Sequence, residues 1–595
     1  MADALRVQPG LRVEIDPAPP WPCVLGRVHL GVFDRTPAPV VSPDGACRLV
    51  VAGEVRQHPR GAPALLDAYL ARGDAALAGL SGSFVLALWD GRARRLVVAN
   101  DRFGLRNCFW VALEGGVAFA PGVAALLAAV GGSRALDADA AVELLTFQCI
   151  LGDRTLVRGI RLLPPAALLT LEAGAPPRIE RTWRLAYRPE PGGCDRHAAR
   201  LADALRETVA RHVAAPGRVG LPLSGGLDSR TLLAALPHAA AVPTITYGRR
   251  GSDDVARATE LAALAGTTQH ELPLLPGYAA RLAATMVAVT DGMHSCLNAH
   301  AAVLARAAEV CDVLLLGNGG DCLLDGLWDG GRAATDAAVA ERLVPRLTIG
   351  VPPALAARLA APGSPFAEAG PRAAQAFRAL LATCPGDHPA DRADAFNVVH
   401  RHRRWVLQGV RAQAPWVEFR HPYYDDAVVE AALGVPPALR RHRRAHAAAL
   451  ARLSPVLARV PRDGASLGFA APEWRWRVHR ARDRVRGAIR WRANRLGLNR
   501  RLARPNRRAF ADYDEELRAG SRALLERVLL GPASLARGWW RPEALRAAVA
   551  EHLAGRANHA AALGMLITLE LFAQATFDGV TPVACLALET RARAS

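Results

Sequence analysis

Apolar and polar residues alternate with a period of two through the first third of the chain. The runs 27–33 (RVHLGVF), 47–55 (CRLVVAGEV), 82–90 (GSFVLALWD), 94–101 (RRLVVAND) and 107–120 (NCFWVALEGGVAFA) carry this alternation, divided by turns such as Pro43-Asp44-Gly45. Such segments predict antiparallel strands. Helical spacing intervenes at Ala62–Arg72 and Ala138–Thr146. Strands layered with helices predict an α+β sandwich. Beyond Arg196 the pattern changes. A helix is predicted to Val213, then a strand Val219–Leu223, a helix Thr231–Leu236, a strand Ala241–Tyr247, a helix Asp254–Ala265, a helix Ala299–Val310 and a strand Val313–Leu316. Alternating strands and helices predict a parallel α/β sheet with its ligand at the strands' C-terminal ends.

The Pro- and Gly-bearing stretch Tyr187–Asp195 is the expected linker. It divides the chain into domains 1–190 and 191–595, the second ending in a helical, arginine-rich part from about 430 to 595. Within that part, residues 474–508 interleave arginines with tryptophans. Val478, Val485, Ile489 and Leu496 recur at near-helical spacing, which predicts one packed face on an otherwise solvated helix, with contact to a peptide, an acidic membrane surface or nucleic acid as the alternatives. Ala560–Ala573 is apolar on nearly every side, as a buried helix is.

Length and composition (595 residues, 51% hydrophobic, 22% charged) describe a multidomain globular protein. All 74 basic residues are arginine, which excludes a Schiff-base lysine, a Walker-type lysine and a lysine general base. The net charge of +19 is what a GC-rich genome produces without any functional cause, with attraction of nucleic acid, an acidic peptide or nucleotide phosphates as the alternatives. Ten cysteines are scattered without a CxxC pair and read as core thiols in a reducing compartment. No run of about 18 apolar residues suggests a membrane span, and Met1–Ile15 lacks the apolar segment of a secretory signal. A cytoplasmic protein is expected.

Chemistry concentrates in Leu223-Ser224-Gly225-Gly226-Leu227-Asp228-Ser229, between a strand and a helix. Gly225 and Gly226 let the backbone approach an anion. Successive N–H groups, a helix N-terminus and the hydroxyls of Ser224 and Ser229 make a phosphate cradle. Asp228 suits a magnesium ion shared with phosphates. SGGLDS resembles the signature of the PP-loop ATP pyrophosphatases, which implies cleavage of ATP between its α and β phosphates. A second turn, Leu316-Gly317-Asn318-Gly319-Gly320-Asp321, follows another strand about 90 residues on.

The region 82–110, with 42–55 and 117–127, resembles the glutaminase domain of the asparagine synthetase family. The resemblance implies an N-terminal glutaminase-like (Ntn-type) β-sandwich and a C-terminal PP-loop synthetase domain with extra helices. It also implies ATP and magnesium as cofactors. Leu316–Asp321 resembles that family's Ser-Gly-Glu-Gly-x-Asp segment. Gly317 and Gly319 then lie against adenine or ribose, and Asp321 becomes the second magnesium ligand beside Asp228. Asn318 replaces the family's Glu and cannot act as a base near neutral pH, but can orient a substrate by hydrogen bonds. Trp416–Asp425 resembles GxExRxPFLD, so Glu418, Arg420 and Asp425 match. Glu418 and Arg420 are expected to pair with one another near the site, and Asp425 to cap the next helix. In the Arg459–Phe469 loop the family carries a lysine on the α-phosphate; Arg462 is the replacement by its spacing to Gly468. Arg462, Asn318 and Glu418 are thus the catalytic candidates.

The departures bear on the amine. The family domain opens on a nucleophilic Cys after the initiator Met, where this chain reads Met1-Ala2-Asp3, with its first thiol at Cys23. Ala52-Gly53-Glu54 stands for Asn-Gly-Glu and lacks the oxyanion-hole donor. Glutamine hydrolysis is therefore not expected. Among relatives the pattern is most similar to the lasso peptide cyclases. These adenylate an Asp or Glu side chain of a precursor peptide and close a macrolactam with the peptide's N-terminal amine. The implied partners are a precursor peptide, a leader-peptide protease and a leader-binding protein, with no nucleic acid. Amidation of a small acid or sugar, and an inactive nucleotide-binding scaffold, remain alternatives.

Overall fold

A computed structural model describes residues 1–580 except 7, 9, 18–22, 59, 132–133, 327–334, 463–466 and 496–508. The alternating runs pair as expected. Six strands form one antiparallel sheet, in the order Arg178–Arg181, Ala167–Glu172, Arg95–Asn100, Gly82–Asp90, Cys47–Val55, Val40–Val41. One face packs on the Ala62–Arg72 helix through Leu49, Leu65, Leu66, Phe84 and Leu88. The other face, through Val50, Ala87 and Val98, meets Cys108, Trp110 and Phe119 of a three-stranded sheet. Period two places alternate side chains on these two cores.

The second half builds a five-stranded parallel sheet. Its order is Gln269–Pro273, Thr244–Gly248, Val219–Pro222, Val313–Leu315, Glu418–Arg420. The chain moves outward from Val219–Pro222 on one side, then returns to add Val313–Leu315 on the other. The strand order reverses between these two central strands, and ligands of open α/β sheets bind at such a point. Helices surround the sheet. Ala560–Thr576 is among the most buried, as its uniformly apolar sequence requires. The Ala299–Val310 pattern lies in a run of 3-10 turns, Cys296–Glu309, instead of an α-helix. The stretch after Tyr187 has no regular structure but is fastened, with Arg188 and Glu190 N–H donating to the carbonyls of Leu433 and Gly434 at 3.0 and 2.8 Å.

Two expectations need correction. Glu418 and Arg420 do not pair with each other. Glu418 meets Arg106, and Arg420, itself buried, holds Glu54 at 2.9 and 3.1 Å. Residues two apart on a strand share a face side by side, and their partners come from the first half: Glu54 from the antiparallel sheet and Arg106 from the loop before Phe109. The second correction concerns the helix Glu473–Arg495. Val478 and Val485 are 46% and 60% exposed, so the packed stripe is absent where side chains are described. Arginines too closely spaced leave no apolar arc wide enough to dock. Leu496 and the rest of 496–508 lie outside the described residues, as does the side chain of Ile489. No described helix is long and apolar enough to cross a membrane.

Candidate functional site

The two glycine-rich turns leave the C-terminal ends of the two central strands and touch. Asp321 N–H donates to Asp228 Oδ2 at 3.1 Å. A β-carbon on Gly320 would lie 2.8 Å from the Asp228 carboxyl carbon, and one on Gly319, at φ +107°, would meet the Tyr424 ring at 2.6 Å. Only glycine permits this approach. The Leu227–Ala235 helix starts beside Gly226, and the short Gly320–Leu324 helix beside Gly319. The Ser224 and Ser229 hydroxyls are 3.1 Å apart, and Gly226 N–H donates to Ser224 Oγ at 3.2 Å. Leu223, Leu227 and Leu316 turn their side chains into the core, leaving only backbone for a ligand. Asn318 is half-buried on the second turn and makes no side-chain hydrogen bond among the described residues.

Charge gathers around Asp228. Its ligand atoms and those of Asp325 and His446 lie within 4.8 Å of one another. Burial, then Asp321 and Asp325, push the Asp228 carboxyl well above the usual carboxylate range. Asp325 is likewise raised by burial, against the pull of Arg443 at 2.9 Å. Burial lowers His446 to about 4, so it is neutral near pH 7. Tyr423 bridges the group, donating to the Asp228 carbonyl at 3.0 Å and lying 3.1 Å from His446 Nε2. Asp228 Oδ1 is buried without a hydrogen-bond partner. Crowded carboxylates with an orphaned oxygen fit a hard divalent cation such as magnesium.

Sequence reasoning missed Arg230, which is fully buried. Its guanidinium donates to the Gly225 carbonyl at 2.7 Å and to the carbonyls of Val460 and Pro461 at 2.6 and 3.2 Å. It thereby ties the first turn to the loop bearing Arg462. The only sequence signal was a charge directly after SGGLDS within an apolar helix. Arg462 sits beside the Pro461–Gly468 bridge, over the Trp476 ring at 5.5 Å, and near enough to draw Asp325 downward. Asp228, Asp321 and Arg462 thus share one neighbourhood, within which the ligand atom of Asp321 groups with those of Cys322 and His402 and that of Asp228 with those of Asp325 and His446. Glu418 does not join them, being at the opposite end of its strand, in register with Val313. Asp425 caps the next helix by accepting from Ala427 N–H at 3.3 Å.

A cavity of about 450 Å³ is lined by Ala52, Phe119 and Cys108 of the first half and Leu407 of the second, with Asn107 and Arg411 among its polar walls. Burial pushes the Cys108 thiol up to about 12. Cys23 lies outside that lining and is pushed up to about 11 by burial and Asp16.

A model of the asparagine synthase family matches residues 200–574, and one of the glutamine amidotransferase domain matches residues 62–183. A Mycobacterium tuberculosis (strain ATCC 25618 / H37Rv) protein bearing the name asparagine synthetase [glutamine-hydrolyzing] is 32% identical over 202 residues, 32% of this chain and 31% of its own length. Asparagine synthetase [glutamine-hydrolyzing] 1 of Bacillus subtilis (strain 168) is 24% identical over 34% of this chain and 32% of its own. The matched stretch spans about a third of these curated relatives. A solved structure titled as the allosteric regulatory enzyme of purine biosynthesis shares 14% identity over 41% of this chain and 63% of its own, with a TM-score of 0.19, too low to carry an argument.

Proposed function

Because this chain belongs to the asparagine synthase family of ATP-dependent amidotransferases, we propose that it is an AMP-forming amide ligase whose amine is not ammonia from glutamine, and specifically a macrolactam synthetase of the lasso peptide type. One observation carries the reading. The cavity at Ala52 holds a single thiol, Cys108, strongly raised by burial, while the carboxylates of Asp228, Asp321 and Asp325 crowd together at the glycine-rich turns. Glutamine hydrolysis needs a reactive thiolate, which a thiol raised that far does not supply, and Ala52 has no side-chain donor for an oxyanion.

The chemistry follows from the residues. A carboxylate is a poor acyl donor until its oxygen carries a leaving group. In this reading a side-chain carboxylate of the peptide attacks the α-phosphorus of ATP and diphosphate departs. The peptide's N-terminal amine then attacks the acyl carbon, loses a proton and expels AMP. The amides of Ser224–Ser229 cradle phosphate oxygens. Asp228 and Asp321 would hold magnesium, which offsets the charge of the departing diphosphate. Arg462 supplies a fixed positive charge beside the reacting phosphorus, without shuttling protons. Arg230 keeps Arg462 and the cradle in one register. Asn318 orients the amine or the carboxylate. Holding both peptide ends together supplies much of the rate.

The test is incubation of the full chain with ATP, magnesium and linear peptides bearing a free amine and an internal Asp or Glu. Peptide-dependent AMP and a product lighter by one water are expected. AMP with small acids and ammonia would replace this reading by the amidation alternative. No AMP with any substrate would leave a nucleotide-binding scaffold.

A further inference from the structure

A second cavity, of about 820 Å³, lies between the Ala138–Phe147 helix, the Ala369–Leu381 helix and the segment around Arg403. Tyr424 and Phe103 line it, their ring centroids 4.6 Å apart, and Trp183 meets Phe103 edge-on at 5.2 Å. Tyr424 is also the ring that closes on Gly319, so the cavity reaches the wall of the second glycine-rich turn. Its volume is that of a site for a ligand much larger than one amino acid.

The lining carries seven arginines against three carboxylates. Arg403 is 3% exposed; its Nη2 donates to the Leu163 carbonyl, its Nη1 lies 3.5 Å from Asp153 Oδ1, and its Nε, beside Gly104, has no hydrogen-bond partner among the described residues. Arg161 and Arg184 are exposed on the same lining and form no ion pair among the described residues. Guanidinium groups at two depths around an aromatic wall recognise carboxylates through forked hydrogen bonds.

We infer that this cavity binds an acidic stretch of a peptide substrate, with Arg161 and Arg184 gripping its carboxylates at the rim and Arg403 deeper. The inference rests on the ligase reading and names its substrate class. Binding is tested on the full chain without ATP, by fluorescence anisotropy of fluorescein-labelled hexaglutamate. Wild type should bind it at least tenfold more tightly than hexaglutamine. The double variant Arg161→Glu/Arg184→Glu should weaken it at least tenfold. Arg527→Glu/Arg546→Glu, which reverses two exposed charges elsewhere, should change it less than twofold. Equal weakening by both variants would reduce the attraction to the overall field of a +19 chain and overturn the site. Unchanged binding in the first variant, or equal binding of hexaglutamine, would overturn it too. Hexaglutamate binding that behaves as expected in a chain releasing no AMP with any peptide would sink the ligase reading and spare the cavity.

Discussion

The turn at Asp228 and the strand end at Glu54 handle buried charge in opposite ways. Both occur at signature positions of their halves. Around Asp228, three carboxylates crowd together and one oxygen has no partner. At Glu54, both carboxylate oxygens meet the guanidinium of Arg420, which also donates to the carbonyls of His212 and Pro216 at 2.8 Å. Charge left uncompensated stores a demand for a ligand; charge neutralised within the chain is a joint. One half thus leaves a carboxylate oxygen unpaired among the described residues, and the other commits its carboxylate to a brace between the halves.

Asp228→Asn breaks the comparison most sharply. It keeps an acceptor for Asp321 N–H but removes the charge. AMP formation should fall by at least about 10³-fold, while the thermal midpoint without ligand rises at pH 8, because like-charge repulsion is relieved. A lower midpoint, measured by calorimetry, would mean that the cluster is structural. Arg230→Met should destabilise by about 3 kcal/mol in urea unfolding, since the buried carbonyls of Gly225 and Val460 lose their donor. A change within error would remove Arg230 as the tie between the two loops.

The next effect is acid sensitivity. Burial lowers His294, His400 and His421 to about 3, and His300, His402 and His446 to about 4. These imidazoles stay neutral in the fold but protonate near pH 6.5 once the chain unfolds. Their support is complete above that pH and is lost as pH falls toward the folded values, at about 1.4 kcal/mol per pH unit for each. The thermal midpoint should drop steeply between pH 6.5 and 4.5, and a flat profile would contradict the burial. Glu54→Gln should cost about 2 kcal/mol, because Arg420 keeps its carbonyl partners but loses its counter-charge; peptide-dependent AMP formation should survive. Smallest of all, Ala52→Asn should leave glutamate release from glutamine undetectable by coupled assay, because a donor alone does not replace a reactive thiol. Measurable hydrolysis would reopen the ammonia route.

Local pattern made much of this readable in advance. The Ala62–Arg72 helix, the strand–turn–helix at Ser224 and the parallel order of the second sheet follow from periodicity and turn chemistry, which act within a few residues. The partners of Glu418 and Arg420 were not readable, because Arg106 and Glu54 lie more than 300 residues away and meet them only when the two halves of the chain dock. The exposure of Val478 and Val485 was hidden for a related reason: helical spacing reports which residues share a face, not whether anything packs upon it. Arg230 escaped notice because an isolated charge in an apolar run does not announce four backbone acceptors.

The Tyr424 ring lies flush on a residue with no side chain and forms part of the arginine-lined chamber. A partition one aromatic ring thick has little room to yield independently on either surface. Any side chain added at Gly319 would have to displace the one ring that the turn and the chamber share, so a single position sets the spacing of both.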